Sequence, residues 1–378
     1  MYLLHLSVPL PNKLFLIHSN LSIFIKITII AFKLKVHIMQ SCIDLLPFSY
    51  LKRLNIKEDS VHKILALWNQ TYRKYHSLEH LYDLLQKVNS NQDLNQESKN
   101  ILSCSALFHD AIYNPRQRDN VSQSAQLFQR YTKNSTHKDI PTITQIILDT
   151  DAHHASNGLS KIFCNYDTQI LKEGFSSLLQ WEHKIASEFQ FMDYDKYIQL
   201  RVEFLSNYVH LNASLHTLIE YVKFRKQSIA VYPGSFAPFH SGHMNILNKS
   251  EKIFDKVIVA VGVNPDKSLQ DKDISQRTEE LVDLLVNREV IFYQGYLTDL
   301  VHSLPKKTAI VRGLRNGYDL EYEMNQLRFI EDMSQKDIQV CFIPCDREFS
   351  YISSTAIRNM SKFEGNREQK YLPKKVKI

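Results

Sequence analysis

The chain predicts two domains of different class, an all-α domain followed by an α/β domain with a parallel sheet. Three observations predict it. Between 42 and 224, apolar residues recur at helical spacing, as in Val61, Leu65, Leu67 and Trp68 and again in Leu78, Leu81, Leu84 and Leu85. Glycine appears there only at 158 and 174. After Phe224–Ser228, short apolar runs alternate with helical stretches: SIAVY (228–232), KVIVAVGV (256–263), EVIFYQG (289–295), TAIVRG (308–313) and IQVCFIP (338–344). Strands separated by helices indicate βαβ units, and 378 residues suffice for two cores. The boundary falls near Lys226: residues 1–38 form an extension, 39–225 the helical domain and 226–378 the α/β domain. No internal repeat is visible.

Within the extension, Leu14–Phe32 is apolar but broken by His18, Asn20 and Lys26. It falls short of an unbroken run of about 20 apolar residues, and Lys26 would sit near mid-membrane. It also lacks the charged start and small-residue cleavage site of a signal peptide. It reads as a disordered arm or as sequence translated ahead of a start at Met39, not as a membrane anchor. The composition, 44% hydrophobic and 23% charged, is that of an ordinary globular protein. A net charge of +6 suits anionic small molecules and is too small and dispersed to argue for nucleic acid. Five cysteines without a pairing pattern read as reduced thiols of a cytoplasmic protein. Cys341 and Cys345, spaced as a metal pair would be, read as ordinary thiols in a strand.

The α/β domain places three motifs after strands, where open parallel sheets bind ligands. YPGSFAPFHSGH (232–243) joins the first strand to a helix, and a loop entering a helix start suits phosphate. It carries Ser235, Phe236, His240 and His243. VRGLRNGYDLEYE (311–323) follows the TAIV strand. Arg312 and Arg315 suit bidentate phosphate binding, Gly313 permits close backbone approach, and Glu323 lies along the next helix. In REFSYISSTAIR (347–358), Ser353, Ser354 and Thr355 stand at a helix start. Lys267, in NPDKS, adds a cation past the second strand. Each motif alone has an ordinary reading as a cap or a turn. Their order along one sheet end points to a phosphate-handling site.

Residues 228–360, through YPGSF, HSGH, NPDK, VRGLR, DLEYE and FSYISST, resemble bacterial phosphopantetheine adenylyltransferase of the HxGH nucleotidyltransferase superfamily. The resemblance implies a Rossmann-like nucleotidyltransferase fold and a reaction that joins ATP and 4′-phosphopantetheine into dephospho-coenzyme A and pyrophosphate, with Mg²⁺. It gives catalytic roles to His243, Lys267 and Arg312. ATP contacts fall to Ser235, Phe236, His240, His243, Gly313, Leu314, Arg315, Glu323, Phe349, Ser350, Tyr351, Ile352, Ser353, Ser354 and Thr355. Acceptor contacts fall to Ser235, Lys267, Val301 and Arg312. It further implies a homo-oligomer, a hexamer, and neither nucleic-acid nor membrane partners. Ala237 departs from the family, which carries an acidic residue there. Adenylyl transfer to another phosphorylated acceptor, such as nicotinamide mononucleotide, is the alternative.

In the helical domain, RKYHSLEH (73–80) reads as a helix start with His76 and His80 on one face. FHDAIY (108–113) and FCNYDTQIL (163–171) add His109, Asp110 and Asp167. Imidazoles and carboxylates together suit a divalent cation. About residues 55–222 resemble the HD superfamily of metal-dependent phosphohydrolases, especially a group with a YHxxxH start. By that resemblance His80, His109, Asp110 and Asp167 hold Mn²⁺ or Mg²⁺, His76 is a general acid, and His153 approaches the site. Val121 and Asn165 stand where the group carries acidic residues. The alternative is a non-catalytic nucleotide-sensing or oligomerisation module.

Overall fold

The computed structural model describes residues 34–262, 271–335 and 337–373. The N-terminal region is helical throughout, as expected, but it is built around two cores. The first gathers α1 (34–45), α2 (Phe48–Arg53), α3 (Glu58–Trp68), α4 (Leu78–Ser90), α5 (Gln96–Phe108), α6 (Asn120–Thr132), α7 (Ile140–Asp149) and α8 (Gly158–Asp167). Its centre is α5, whose residues from Ile101 to Phe108 are all buried. A helix buried on every face needs small or internally satisfied polar residues. Here Ser105 returns its hydroxyl to the Ile101 carbonyl at 3.0 Å. Because α1 begins before Met39 and Ile38 packs on this core, the domain starts earlier than the boundary drawn from sequence.

The second core joins α9 (Phe175–Glu188), α10 (Tyr194–Ser206) and α11 (Ser214–Phe224) around Leu178, Trp181, Tyr197 and Leu218. Asn157 caps α8 and Asp193 caps α10, each accepting from a backbone N–H three residues on.

The C-terminal region alternates β1 (Ile229–Gly234), α12 (Ser241–Ser250), β2 (Lys256–Gly262), α13 (Asp271–Leu284), β3 (Val290–Tyr293), α14 (Leu297–Ser303), β4 (Thr308–Leu314), α15 (Gly317–Met333) and β5 (Val340–Pro344), followed by α16 (Ser354–Met360). The five strands are parallel in the order β3-β2-β1-β4-β5. Ala230 and Tyr232 face one core while Ile229 and Val231 face the other, the period of two expected of a sheet covered on both sides. The chain winds outward from β1 to β3 and then crosses to β4. The strand order therefore reverses between β1 and β4, opening a crevice at their C-terminal ends.

The two regions meet through the ion pairs Lys306–Asp195 and Arg225–Asp255 and through side chains that bind main-chain carbonyls. Arg116 donates to the carbonyls of Val286 at 2.8 Å and Arg288 at 2.6 Å. Asn287 donates to the Ser187 carbonyl at 2.8 Å, and Lys256 to that of Met192 at 2.7 Å. Among the described residues no helix is long and apolar enough to cross a membrane.

Candidate active sites

The crevice at the sheet end is a cleft of about 390 Å³. The helix after β1 starts at Ser241, where His240 and His243 form a reciprocal cap. His240 Nδ1 accepts from the N–H groups of Gly242 at 3.1 Å and His243 at 3.4 Å, and His243 Nδ1 accepts from the His240 N–H at 3.2 Å. The rings stack with centroids 3.7 Å apart. A β-carbon at position 242 would meet the His240 ring at 3.0 Å, so any other residue there would press on that ring by a few tenths of an ångström.

With Nδ1 accepting, a neutral imidazole carries its proton on Nε2. The charges support that form. Burial, then Arg315, lowers the His240 pKa to about 4. Burial, then His240 and Arg315, holds that of His243 well below the usual value.

Around these rings the cleft is lined by Ser235, Phe236, Arg312, Gly313, Leu314, Arg315, Glu323, Phe349, Ile352, Ser353, Ser354 and Thr355. Thus sequence motifs more than a hundred residues apart converge. Arg312 Nε lies 2.8 Å from Glu323 Oε2, out of line for a hydrogen bond. Burial raises the Glu323 pKa against the pull of Arg312. Arg315 is bidentate to Asp319, Nε at 2.8 Å and Nη2 at 2.9 Å, and these bonds lower the Asp319 pKa. Phe236 has φ +45° and is buried beneath the loop, edge-on to His243 at 5.1 Å.

Several residues stand elsewhere than the sequence suggested. Val301 is 5% exposed and packs in the core with Val231 and Ile310, because an apolar β-branched residue on the inner face of α14 is buried under the sheet and does not line the cleft. Ser350 and Tyr351 do not line it either. Ser350 bonds back to the Arg347 carbonyl at 2.8 Å, and the Tyr351 side chain is exposed towards Tyr371. The space beside Gly313 is taken by Ile246, 2.9 Å from where a β-carbon would stand, so this glycine admits a helix side chain to the strand. Lys267 lies outside the described residues. Sequence reasoning missed Arg358, which lines the cleft and donates to the Ala237 carbonyl and to Thr355 Oγ1. It also missed Asp319 as the holder of Arg315; the i,i+4 spacing of the two was the available signal.

The helical region has a second cavity, about 350 Å³, between its two cores. His109, the residue after α5, is 1% exposed and donates from Nδ1 to the Ala106 carbonyl at 3.0 Å. Its Nε2 is turned towards Asp110 at 3.3 Å and Asp167 at 3.7 Å. His80 Nε2 is 3.0 Å from Asp167 Oδ1, and His153 Nε2 is 3.0 Å from Asp167 Oδ2. His80, His109 and Asp110 offer ligand atoms within 4.8 Å of one another. Both Nε2 atoms of His80 and His109 are buried and lack a hydrogen-bond partner among the described residues. Burial opposes charge on His109, but Asp110 and Asp167 carry its pKa up to about 9. Burial likewise opposes ionisation of Asp110 and Asp167, and the facing histidines hold both well below the usual carboxylate range.

His76 precedes α4 and is not on it, so the helix does not align it with His80. Glu188, fully buried on α9, places it instead. One carboxylate oxygen of Glu188 accepts from the backbone N–H groups of Lys74, Tyr75 and His76. The other lies 2.6 Å from His76 Nδ1 and 2.8 Å from the Tyr113 hydroxyl. Burial works against charge on His76, yet Glu188 lifts its pKa above the ordinary histidine value. Glu188 and Arg73, which donates to the Asp110 carbonyl at 2.7 Å, were not found from sequence. Glu188 comes from a helix with no motif of its own, and Arg73 opens RKYHSLEH beside the histidines that drew notice. Of the two departures from the HD pattern, Val121 lines the cavity and Asn165 is exposed on α8.

Residues 231–360 match the cytidylyltransferase-like family. A phosphopantetheine adenylyltransferase of Actinobacillus succinogenes is 38% identical over 145 residues, 37% of this chain and 86% of that protein. One of Mycoplasma capricolum subsp. capricolum is 38% identical over 135 residues, 35% of this chain and 95% of the relative. One of Porphyromonas gingivalis is 36% identical over 153 residues, 39% and 95% respectively.

Proposed function

The chain belongs, through its C-terminal domain, to the phosphopantetheine adenylyltransferase family and is a nucleotidyltransferase, and from that premise we propose that it transfers the adenylyl group of ATP to 4′-phosphopantetheine in coenzyme A biosynthesis. The observation that carries this reading is a pair of neutral imidazoles, each with its Nε2 proton free of the cap, in a cleft that also holds Arg312, Arg315 and Ser353–Thr355. A phosphate oxygen of the acceptor attacks the α-phosphorus of ATP. The bond from that phosphorus to the bridging oxygen breaks, and pyrophosphate leaves with the electron pair. No residue must act as nucleophile. The protein has to bring two anions together and stabilise charge as it builds. His243 donates from Nε2 to the α-phosphate, Arg312 and Lys267 hold the acceptor phosphate, and Arg315 with the serines holds the triphosphate.

Among the described residues the carboxylates lining the cleft, Asp319 and Glu323, face arginines. Mg²⁺ would enter with ATP, held by phosphate oxygens and water. A homo-oligomer, by resemblance a hexamer, is supported by the exposed stripe of Tyr318, Tyr322, Phe329 and Met333 on α15. Free cysteines fit a cytoplasmic enzyme. The test is an ATP-dependent assay of the purified chain for dephospho-coenzyme A. Product from nicotinamide mononucleotide instead would replace the acceptor.

For residues 39–225 the reading is a metal-dependent phosphohydrolase of the HD type. Two orphaned imidazole nitrogens opposite two carboxylates fit a divalent cation held by His80, His109, Asp110 and Asp167. Bound there, Mn²⁺ or Mg²⁺ supplies Lewis-acid stabilisation of phosphate and a more acidic water. His76, held by Glu188 through Nδ1, donates its Nε2 proton to the leaving oxygen. A phosphatase screen with Mn²⁺, wild type against the His109→Ala, Asp110→Ala pair, tests it. Absence of both metal and turnover in wild type would favour a sensing or oligomerisation module.

A further inference from the structure

The cavity beside His80, His109 and Asp110 has two chemically distinct ends. One carries His76, Asp110, His153 and Asp167. The other is walled by Trp181, Ile185, Phe189, Met192, Leu200 and Phe204, all from the second helical core and the turn after α9. Two buried donors lie behind this apolar wall. Trp181 Nε1 and Arg201 Nη2 are buried and have no hydrogen-bond partner among the described residues, although both side chains are more than nine-tenths buried. Arg201 is neutralised by Glu182, which accepts from its Nε at 2.6 Å, and its guanidinium lies 4.1 Å from the Trp181 ring centre.

We infer that this cavity receives an organic phosphate whose body is a flat apolar ring system. The phosphate end rests on the hydrolase reading; the ring end rests on the wall alone. The volume, about 350 Å³, suits a body of ring size. Bodies made only of hydroxylated carbon would lose water at the apolar wall without recovering hydrogen bonds.

The two ends are tested separately. Isothermal titration of the full chain, with ATP saturating the other cleft, compares three phosphate-free bodies: 7-hydroxycoumarin, 1-naphthol and ribose. Both ring compounds should bind and ribose should not. Leu200 is 40% exposed, so Leu200→Arg leaves folding intact while closing the cavity, and should weaken both ring compounds at least about tenfold. No ring binding, or ring binding unchanged by Leu200→Arg, would overturn the inference. So would hydrolysis of glycerol 3-phosphate by the Mn²⁺-loaded chain as fast as that of 1-naphthyl phosphate. Ring binding without turnover of any phosphate would support the cavity and defeat only the hydrolase reading.

Discussion

Histidine does opposite electrostatic work in the two halves of this molecule. In the C-terminal cleft, His240 and His243 have an arginine and each other for company, and burial drives them to the neutral form. In the N-terminal cavity, burial also opposes charge on His76 and His109, yet carboxylates lift them. The difference teaches that burial alone does not decide a histidine's charge; the sign of its neighbours does. A site meant to receive anions supplies neutral donors and fixed guanidiniums. A site crowded with carboxylates and orphaned ring nitrogens is one that a cation would balance.

The comparison breaks at its strongest point if His243→Ala leaves turnover unchanged. The expected loss in kcat is about 10²–10³-fold with little change in ATP affinity, as for removal of a donor to the transition state. Steady-state kinetics with titration of ATP would show it. Next in size is Glu188→Gln, which keeps the hydrogen bonds to the Lys74–His76 turn but removes the charge beside His76. Phosphatase activity should fall by about 10–100-fold, and the alkaline limb of its pH profile should move to lower pH, a shift that a purely structural role would not produce. Arg312→Ala should raise the KM for 4′-phosphopantetheine by about tenfold, the scale of one lost charge-assisted contact. An unaltered KM would remove Arg312 from acceptor binding.

The smallest effect sharpens the contrast directly. In the folded chain His240 resists protonation until about pH 4, whereas the unfolded chain takes up that proton near the ordinary value of about 6.5. Its contribution is therefore unchanged above that value, and stability is lost as pH falls from there towards 4. His240→Asn retains a capping side chain without the titration. Between about pH 7 and pH 5.5 the variant should lose about 1 kcal/mol less than wild type in urea unfolding. Equal losses would show that His240 does not titrate as its surroundings require.

How much of this was legible in the sequence differs between the halves for a physical reason. A parallel sheet gathers its strand ends by topology, so motifs following β1 and β4 and preceding α16 converge wherever the fold forms. His243, Arg312 and Ser354 could be named from order alone. Val301 could not, because a helix residue's inward direction depends on which sheet face covers it. The helical half has no such rule. His80, His109 and Asp167 were visible as a pattern, but Glu188 emerges from α9 without a signature, and its grip on three consecutive N–H groups exists only once the second core is packed against the first. The cavity between those cores was invisible for the same reason.

The seam between the halves carries a consequence of its own. Arg116, Asn287 and Lys256 each find a main-chain oxygen across it, and a carbonyl is the same whatever side chain it belongs to. Substitutions at Ser187, Met192 or Val286 can therefore accumulate without loosening these bonds, whereas severing the polypeptide near Lys226 and separating the fragments would strand a guanidinium and an amide at once and leave the Lys256 ammonium to Glu289 alone. The tether is indifferent to spelling and sensitive to surgery.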